Sequence, residues 1–260
     1  MSECIGSAPT DLPRVGAVDH GATVWRLRVK DEEVDWDWSA GPPLVAMLSS
    51  IRRPQSTAAS RHVPVEAHSV TTRRTIRLES GLEHDLLRAL DRQHDVVWLA
   101  AQPTRLTFPV KRKGRPVRHT PDLLSQKASG SVTVWDARKK PKQDEDFRLK
   151  AALTAGACAH VGWDYRVFAG YGNLLRANLM WLQAYRRAQP WYEPAREVLS
   201  ELLTGGTASV GTVLAADVGS GHVISAMWHY LWRGDIGCEL GEPITPETVL
   251  TVGQVEADRA

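Results

Sequence analysis

From residue 77 onward, apolar positions recur first with a helical and then with a strand period. RLESGLEHDLLRALDR places Leu82, Leu86 and Leu90 four residues apart, which predicts an amphipathic helix of about three turns. Ser80 stands where its N-cap would fall, with Glu83 in capping-box position. DVVWLAAQ (95–102), RLTFPV (105–110), PVRHTPDLL (116–124) and SVTVWDAR (131–138) then read as four strands. KRKGR, between the second and third, reads as a tight basic hairpin turn with Gly114 as its turn residue. After the acidic QDED, a helix across roughly 145–161, a strand DYRVF at 164–168 and a helix at 173–187 follow. The order helix, strands, helix, strand predicts a compact mixed α/β core.

The flanks are less regular. In residues 1–70, TVWRLRV (23–29) alternates like a strand, LVAMLSSI (44–51) reads as a short apolar element and RRPQSTAASRHVP as a loop. Beyond Pro190 and Pro194, stretches at 195–203, 207–216 and 222–232 read as helices, and DIGCEL and ETVLTV as short strands. Three small helices with a β-pair suggest a winged-helix-like module. The expected organisation is an N-terminal extension (1–70), a core (71–188) and a C-terminal module (189–260), with QVEADRA frayed at the end.

Composition narrows the class without naming it. Apolar residues at 43% and charged residues at 24% are those of a soluble globular protein. A net charge of +2 leaves any nucleic-acid surface to local clustering. Cys4, Cys158 and Cys238 are odd in number and form no CxxC pair, which argues against a disulfide framework or zinc cluster and for a reducing cytoplasm. The start, MSECIGSAPTDLP, has no signal-peptide pattern, and no run of about 18 apolar residues suggests a membrane span. The ten tryptophans are spread without a period and read mostly as core or interface anchors.

Three acids stand out by position. Asp122 follows Pro121 near the end of an expected strand, and Asp136 lies 14 residues later at the end of the next. Glu83 lies on the preceding helix at the edge of its apolar stripe, where an unpaired acid is costly. Each has an ordinary reading: a turn-initiating Pro-Asp, a strand-end acid, a capping-box glutamate. Together they would repel one another unless a hard, oxygen-seeking cation such as Mg²⁺ sat among them. Such a metal activates water for attack on phosphorus, and a neighbouring cation stabilises the developing charge.

Acids in the order helix, strand, strand, with a base two residues after the last, resemble the PD-(D/E)xK nucleases. Residues 79–140 are similar to TnsA-like heteromeric transposase endonuclease subunits, through ESGLEHDLLRALD, VVWLAAQPTRL, RHTPDLL and VTVWDARKK. ACAHVGWDYRV, NLLRANLMWLQAYR and HYLWRGDIGCEL extend the likeness to about 70–250. The resemblance implies a restriction-endonuclease-like mixed sheet flanked by helices. It also implies a Mg²⁺- or Mn²⁺-dependent endonuclease that nicks the 5′ ends of a mobile element, beside a DDE-type transposase and an AAA+ ATPase regulator. Carried over by position, Glu83, Asp122 and Asp136 are the metal-binding acids. Gln102 falls in the family's QP motif, as a supporting or DNA-contacting residue.

At the last motif position Arg138 stands where the wider superfamily has Lys. Strand alternation places Arg138 on the face of Asp136, so it is the expected catalytic cation. Lys139 is its substitute only if the strand ends or bulges at 138. KRKGRPVR supplies Lys111, Arg112, Lys113, Arg115 and Arg118 for phosphate contacts, or a solvated hairpin tip. His119 is expected to pair locally. Two other readings stay open: a catalytically weak or dead nuclease fold acting in DNA binding or assembly, and a restriction or phage-defence nuclease.

Overall fold

The computed structural model describes residues 5–6, 17–52 and 65–253. Cys4, nearly all of the expected 52–64 loop and the expected frayed end at 254–260 lie outside these. The chain divides into two compact units, Met1–Gly170 and Tyr171–Ala260. This partition differs from the expected one at both boundaries: the first unit takes in the residues expected as an extension, and the second begins before the 173–187 helix.

In the first unit the elements are β1 (Val24–Val29), β2 (Glu32–Asp35), β3 (Leu48–Ser49), β4 (Val65–Ser69), β5 (Arg74–Leu78), α1 (Gly81–Asp91), β6 (Val96–Ala101), β7 (Thr104–Arg112), β8 (Arg115–His119), β9 (Leu123–Lys127), β10 (Val132–Ala137), α2 (Glu145–His160) and β11 (Asp164–Phe168). The mixed α/β class is as expected. One sheet runs β2-β1-β7-β8, with β3 also paired to β1; a second runs β11-β10-β9-β6; β4 and β5 form a separate hairpin. Among the described residues only β10 and β11 pair in parallel, and α2 is the crossover that such a pair requires.

The expected strand 116–124 is two strands in two sheets. β8 pairs with β7, whereas β9 pairs with β10 and β6. Pro121 has no N–H to continue a ladder, so the chain changes sheets across Thr120-Pro121-Asp122. Residues 24–35 are likewise no appendage, since β1 pairs along β7 from Val24–Thr107 to Leu27–Thr104. Trp25 and Leu27 point inward with Leu106 and Phe108. Trp25, Trp38 and Trp163 meet edge to face, with ring centroids 5.1–5.6 Å apart. On α2, Gly156 admits the His20 ring, which would lie 2.2 Å from any Cβ there.

The second unit contains α3 (Asn173–Leu182), α4 (Tyr192–Leu202), β12 (Thr207–Ser209), α5 (Val210–Ala216), α6 (His222–Arg233), β13 (Ile236–Gly237) and β14 (Val249–Val252). The expected 207–216 helix is therefore a short strand followed by a helix, which Ser209 caps by accepting the Thr212 N–H. The small sheet runs β12-β14-β13. Ala226 through Trp232 of α6 are all buried. Among the described residues no helix is long and apolar enough to cross a membrane.

Candidate active site

Asp122 is fixed by its place between the two sheets. Its N–H donates to Trp135 O at 2.9 Å, and its carbonyl accepts the Gln102 N–H at 2.8 Å. Its side-chain Oδ2 accepts the Ala137 N–H at 2.7 Å. The register of β9 on β10 runs Leu124–Val134 and Leu123–Trp135, so one further step sets Asp122 opposite Asp136. As a residue Asp122 is half-buried, whereas Glu83 and Asp136 are 4% and 2% exposed.

Glu83 sits in the first turn of α1, where sequence and structure agree on the cap. Its N–H donates to Ser80 Oγ at 3.2 Å, and the Ser80 hydroxyl donates back to Oε1 at 2.8 Å. The return bond to the backbone comes from the Glu79 N–H, 2.8 Å from Oε2, one residue earlier than in the usual capping box. Each Glu83 oxygen holds one of these bonds and so retains a lone pair.

Asp136 is held from two sides. Its Oδ2 lies 2.7 Å from His119 Nε2, at the end of β8, and accepts the hydroxyl of Tyr165 on β11. Burial, then the Asp136 charge, pushes the Tyr165 hydroxyl well above its ordinary pKa, so it stays protonated as a donor. His119 thus pairs locally, as expected. Tyr165 carried no sequence signal, because its meeting with Asp136 depends on the parallel register of β10 and β11.

The electrostatics of the group are one-sided. Burial, then the charges of Asp136 and Glu83, drives the Asp122 carboxyl well above the carboxylate range, against the opposing pull of the Ala137 N–H. Glu83 is also raised, first by burial. The leading charges that act on Asp122 are all acidic. As their side chains stand, no three His, Cys, Asp or Glu groups among the described residues are gathered tightly enough to hold a metal ion. The donor set is nonetheless all carboxylate oxygen, the chemistry that suits Mg²⁺ or Mn²⁺.

Gln102 is the least ordinary residue around the site. It is 1% exposed and non-glycine, yet its φ is +45°, a left-handed conformation that costs on the order of 1 kcal/mol or more. That geometry aims its N–H at the Asp122 carbonyl and its own carbonyl at the Ile51 N–H, 3.0 Å away. Its Oε1 accepts the Ser50 hydroxyl at 3.3 Å. A buried, strained residue whose bonds all serve its neighbours acts as a positioning residue.

The expected cations lie differently from the sequence reading. β10 ends at Ala137, although the Arg138 N–H still donates to Phe168 O of β11 at 2.9 Å. Arg138 Nε donates to Lys142 O at 2.8 Å, and its guanidinium lies 5.6 Å from the centre of the Phe147 ring. Lys139 is exposed and precedes the single 3-10 turn Lys140–Lys142.

The basic hairpin is a two-residue turn. Lys113 and Gly114 both have positive φ, +51° and +76°, between the paired Arg112 and Arg115. Arg112 is taken up by Asp146 at 2.9 Å, whereas Lys111, Lys113, Arg115 and Arg118 are exposed. Arg105 joins them through alternation in RLTF: Leu106 and Phe108 face the core, while Arg105 and Thr107 face out, Thr107 beside Arg118. Arg26, opposite Arg105, is neutralised by Asp35. Replacing both Arg105 and Arg118 by Ala should weaken duplex binding uniformly across sequences and flatten the log–log salt dependence by about 2. Fluorescence anisotropy at several salt concentrations measures this, and an unchanged slope would remove this face from the DNA path.

No protein-family model matches the chain, and no curated protein matches it as a relative.

Proposed function

We propose that the chain is a metal-dependent DNA endonuclease subunit of a heteromeric transposase, which nicks the 5′ ends of a mobile element by phosphodiester hydrolysis. The first unit is read as a restriction-endonuclease-like core and the second as a winged-helix-like module. The observation that carries the reading is the convergence of acidic charge on Asp122. That carboxylate is clamped by backbone at a junction of two sheets, opposite Asp136 and within the field of Glu83.

Glu83, Asp122 and Asp136 would hold the cation, with Asp122 as the central member. Bound there, Mg²⁺ or Mn²⁺ would neutralise the acids and lower the pKa of a water. The chain itself supplies the rest. Gln102 and Ala137 fix the Asp122 backbone and carboxylate before substrate arrives, whereas the three carboxylates would have to draw together around the ion. His119 and Tyr165 hold Asp136 in one rotamer as hydrogen-bonded neighbours. The exposed bases of β7 and β8 precede Asp122 in the chain and would hold a phosphate backbone. α6 is mostly buried, and its Arg233 is bonded to Asp235 at 2.6 Å, so the second unit suits docking to the DDE transposase or an AAA+ regulator better than base reading.

The test is incubation of the protein, a DDE-type transposase encoded beside it and element-end duplex with Mg²⁺ or Mn²⁺. Nicks should appear on the 5′ strands only with metal. A second reading, of a weak or inactive nuclease fold serving assembly, is favoured by the engagement of Asp136 Oδ2 and of Arg138 with the protein's own groups. DNA binding with no nicking in any metal or partner would select it.

A further inference from the structure

A nuclease site of this kind needs a cation beside the scissile phosphate, and Arg138 is turned towards Lys142 and Phe147. The segment Ser50–Arg52, before β4, offers another. It is tied to the scaffold of the site by two hydrogen bonds on one residue: Ile51 N–H to Gln102 O, and Ser50 Oγ to Gln102 Oε1. Gln102 in turn donates to the Asp122 carbonyl, so two bonds in series, Ile51 to Gln102 and Gln102 to Asp122, link this segment to the central acid. The single Ser50 hydroxyl proton is shared between Gln102 Oε1 and Arg52 O, which lies 2.5 Å away.

Arg52 then points towards the start of α1. Its Nη2 lies 3.5 Å from Glu79 Oε1, and its charge acts on the Glu83 carboxyl. The pair with Glu79 is long and solvent-exposed, 52% and 32% by side chain, so it is readily exchanged for a stronger partner. A phosphate is such a partner, because guanidinium binds it through two parallel charge-assisted bonds.

We propose that Arg52 is the phosphate-clamping cation of the acidic site, releasing Glu79 to hold the scissile phosphate in the role the sequence motif assigns to Arg138. The inference rests on the endonuclease reading. It also gives a role to the tie between residues 50–52 and Gln102, since buried Ile51 anchors the segment that carries Arg52.

Steady-state nicking kinetics of full-length wild type, Arg52→Ala and Arg52→Lys, with partner and metal as above, test it. Arg52→Ala should lower kcat by roughly 100-fold or more with an unchanged melting temperature, and Arg52→Lys, which keeps the charge but not the two parallel bonds, should recover only part of that loss. Arg52→Ala nicking at the wild-type rate overturns the inference and leaves the endonuclease reading standing. So does a loss confined to KM, which makes Arg52 a general DNA contact. A loss of kcat on Arg138→Ala without one on Arg52→Ala returns the role to Arg138. A wild type that nicks nothing overturns both readings.

Discussion

Asp122→Asn should abolish nicking, by roughly 1,000-fold or more, and at the same time make the protein more stable at neutral pH in the absence of divalent metal. The loss follows from removing the central ligand of the acidic group. The gain follows from the surroundings of Asp122, where burial and the charges of Asp136 and Glu83 hold the carboxyl well above the carboxylate range. A carboxyl raised on folding contributes its full stability below the unfolded value of about 3.9. That contribution is lost as pH rises through the raised folded value, because above it the native state must hold a charge that the unfolded chain holds more easily. Asn removes the charge and can still accept the Ala137 N–H through its amide oxygen. In EDTA at pH 7.5 the variant should melt above wild type, and its melting temperature should vary less with pH above about 4. Adding Mg²⁺ should then raise the wild-type melting temperature and leave the variant almost unmoved. A variant that nicks normally would dismiss the site assignment; one less stable than wild type in EDTA at pH 7.5 would dismiss the electrostatic account of it.

What could be read ahead of the structure follows the range of the interactions concerned. The leucine spacing and Ser80 cap of α1, and the Lys113-Gly114 turn, depend on residues within a few positions of one another, and they stand in the structure as the pattern predicts. The capping bond displaced to Glu79 was a detail below that resolution. The 116–124 strand was misjudged because apolar residues continue on both sides of Pro121, while the two halves answer to different neighbours. The β1–β7 pairing leaves no local mark, since Trp25 and Leu106 are 81 residues apart along the chain. The candidate acids were legible as residue types in order. Their environments were not: the hold of His119 and Tyr165 on Asp136 needs one neighbour from each of two sheets. The left-handed backbone of Gln102 follows from its tertiary bonds and not from its side chain. Arg138 keeps a ladder bond to Phe168, and the turn of its side chain to Lys142 and Phe147 comes from the segment after the strand, which alternation does not describe.

Trp25→Ala should destabilise the first unit by about 3–5 kcal/mol, a large part of the ~5–15 kcal/mol typical of a folded domain. Trp25 is 1% exposed and lies edge to face with both Trp38 and Trp163. Its removal leaves a cavity bordered by Leu106 and Phe108 of β7 as well as by aromatic rings. Val24→Ala is the matched control, because Val24 is on the opposite, outward face of β1 at 43% exposure and should cost less than about 0.5 kcal/mol. Urea unfolding followed by tryptophan fluorescence, with one midpoint per unit, separates the two variants. The outcome bears on function because β7 leads through the basic hairpin into β8, His119 and Asp122. If β1 is a working strand of that sheet, loosening Trp25 should also weaken the hold of His119 on Asp136 and lower nicking at temperatures well below the melting transition. A cost under about 1 kcal/mol would instead mean that the sheet keeps β7 and β8 in place without its N-terminal strand, and residues 24–35 would revert to an appended layer.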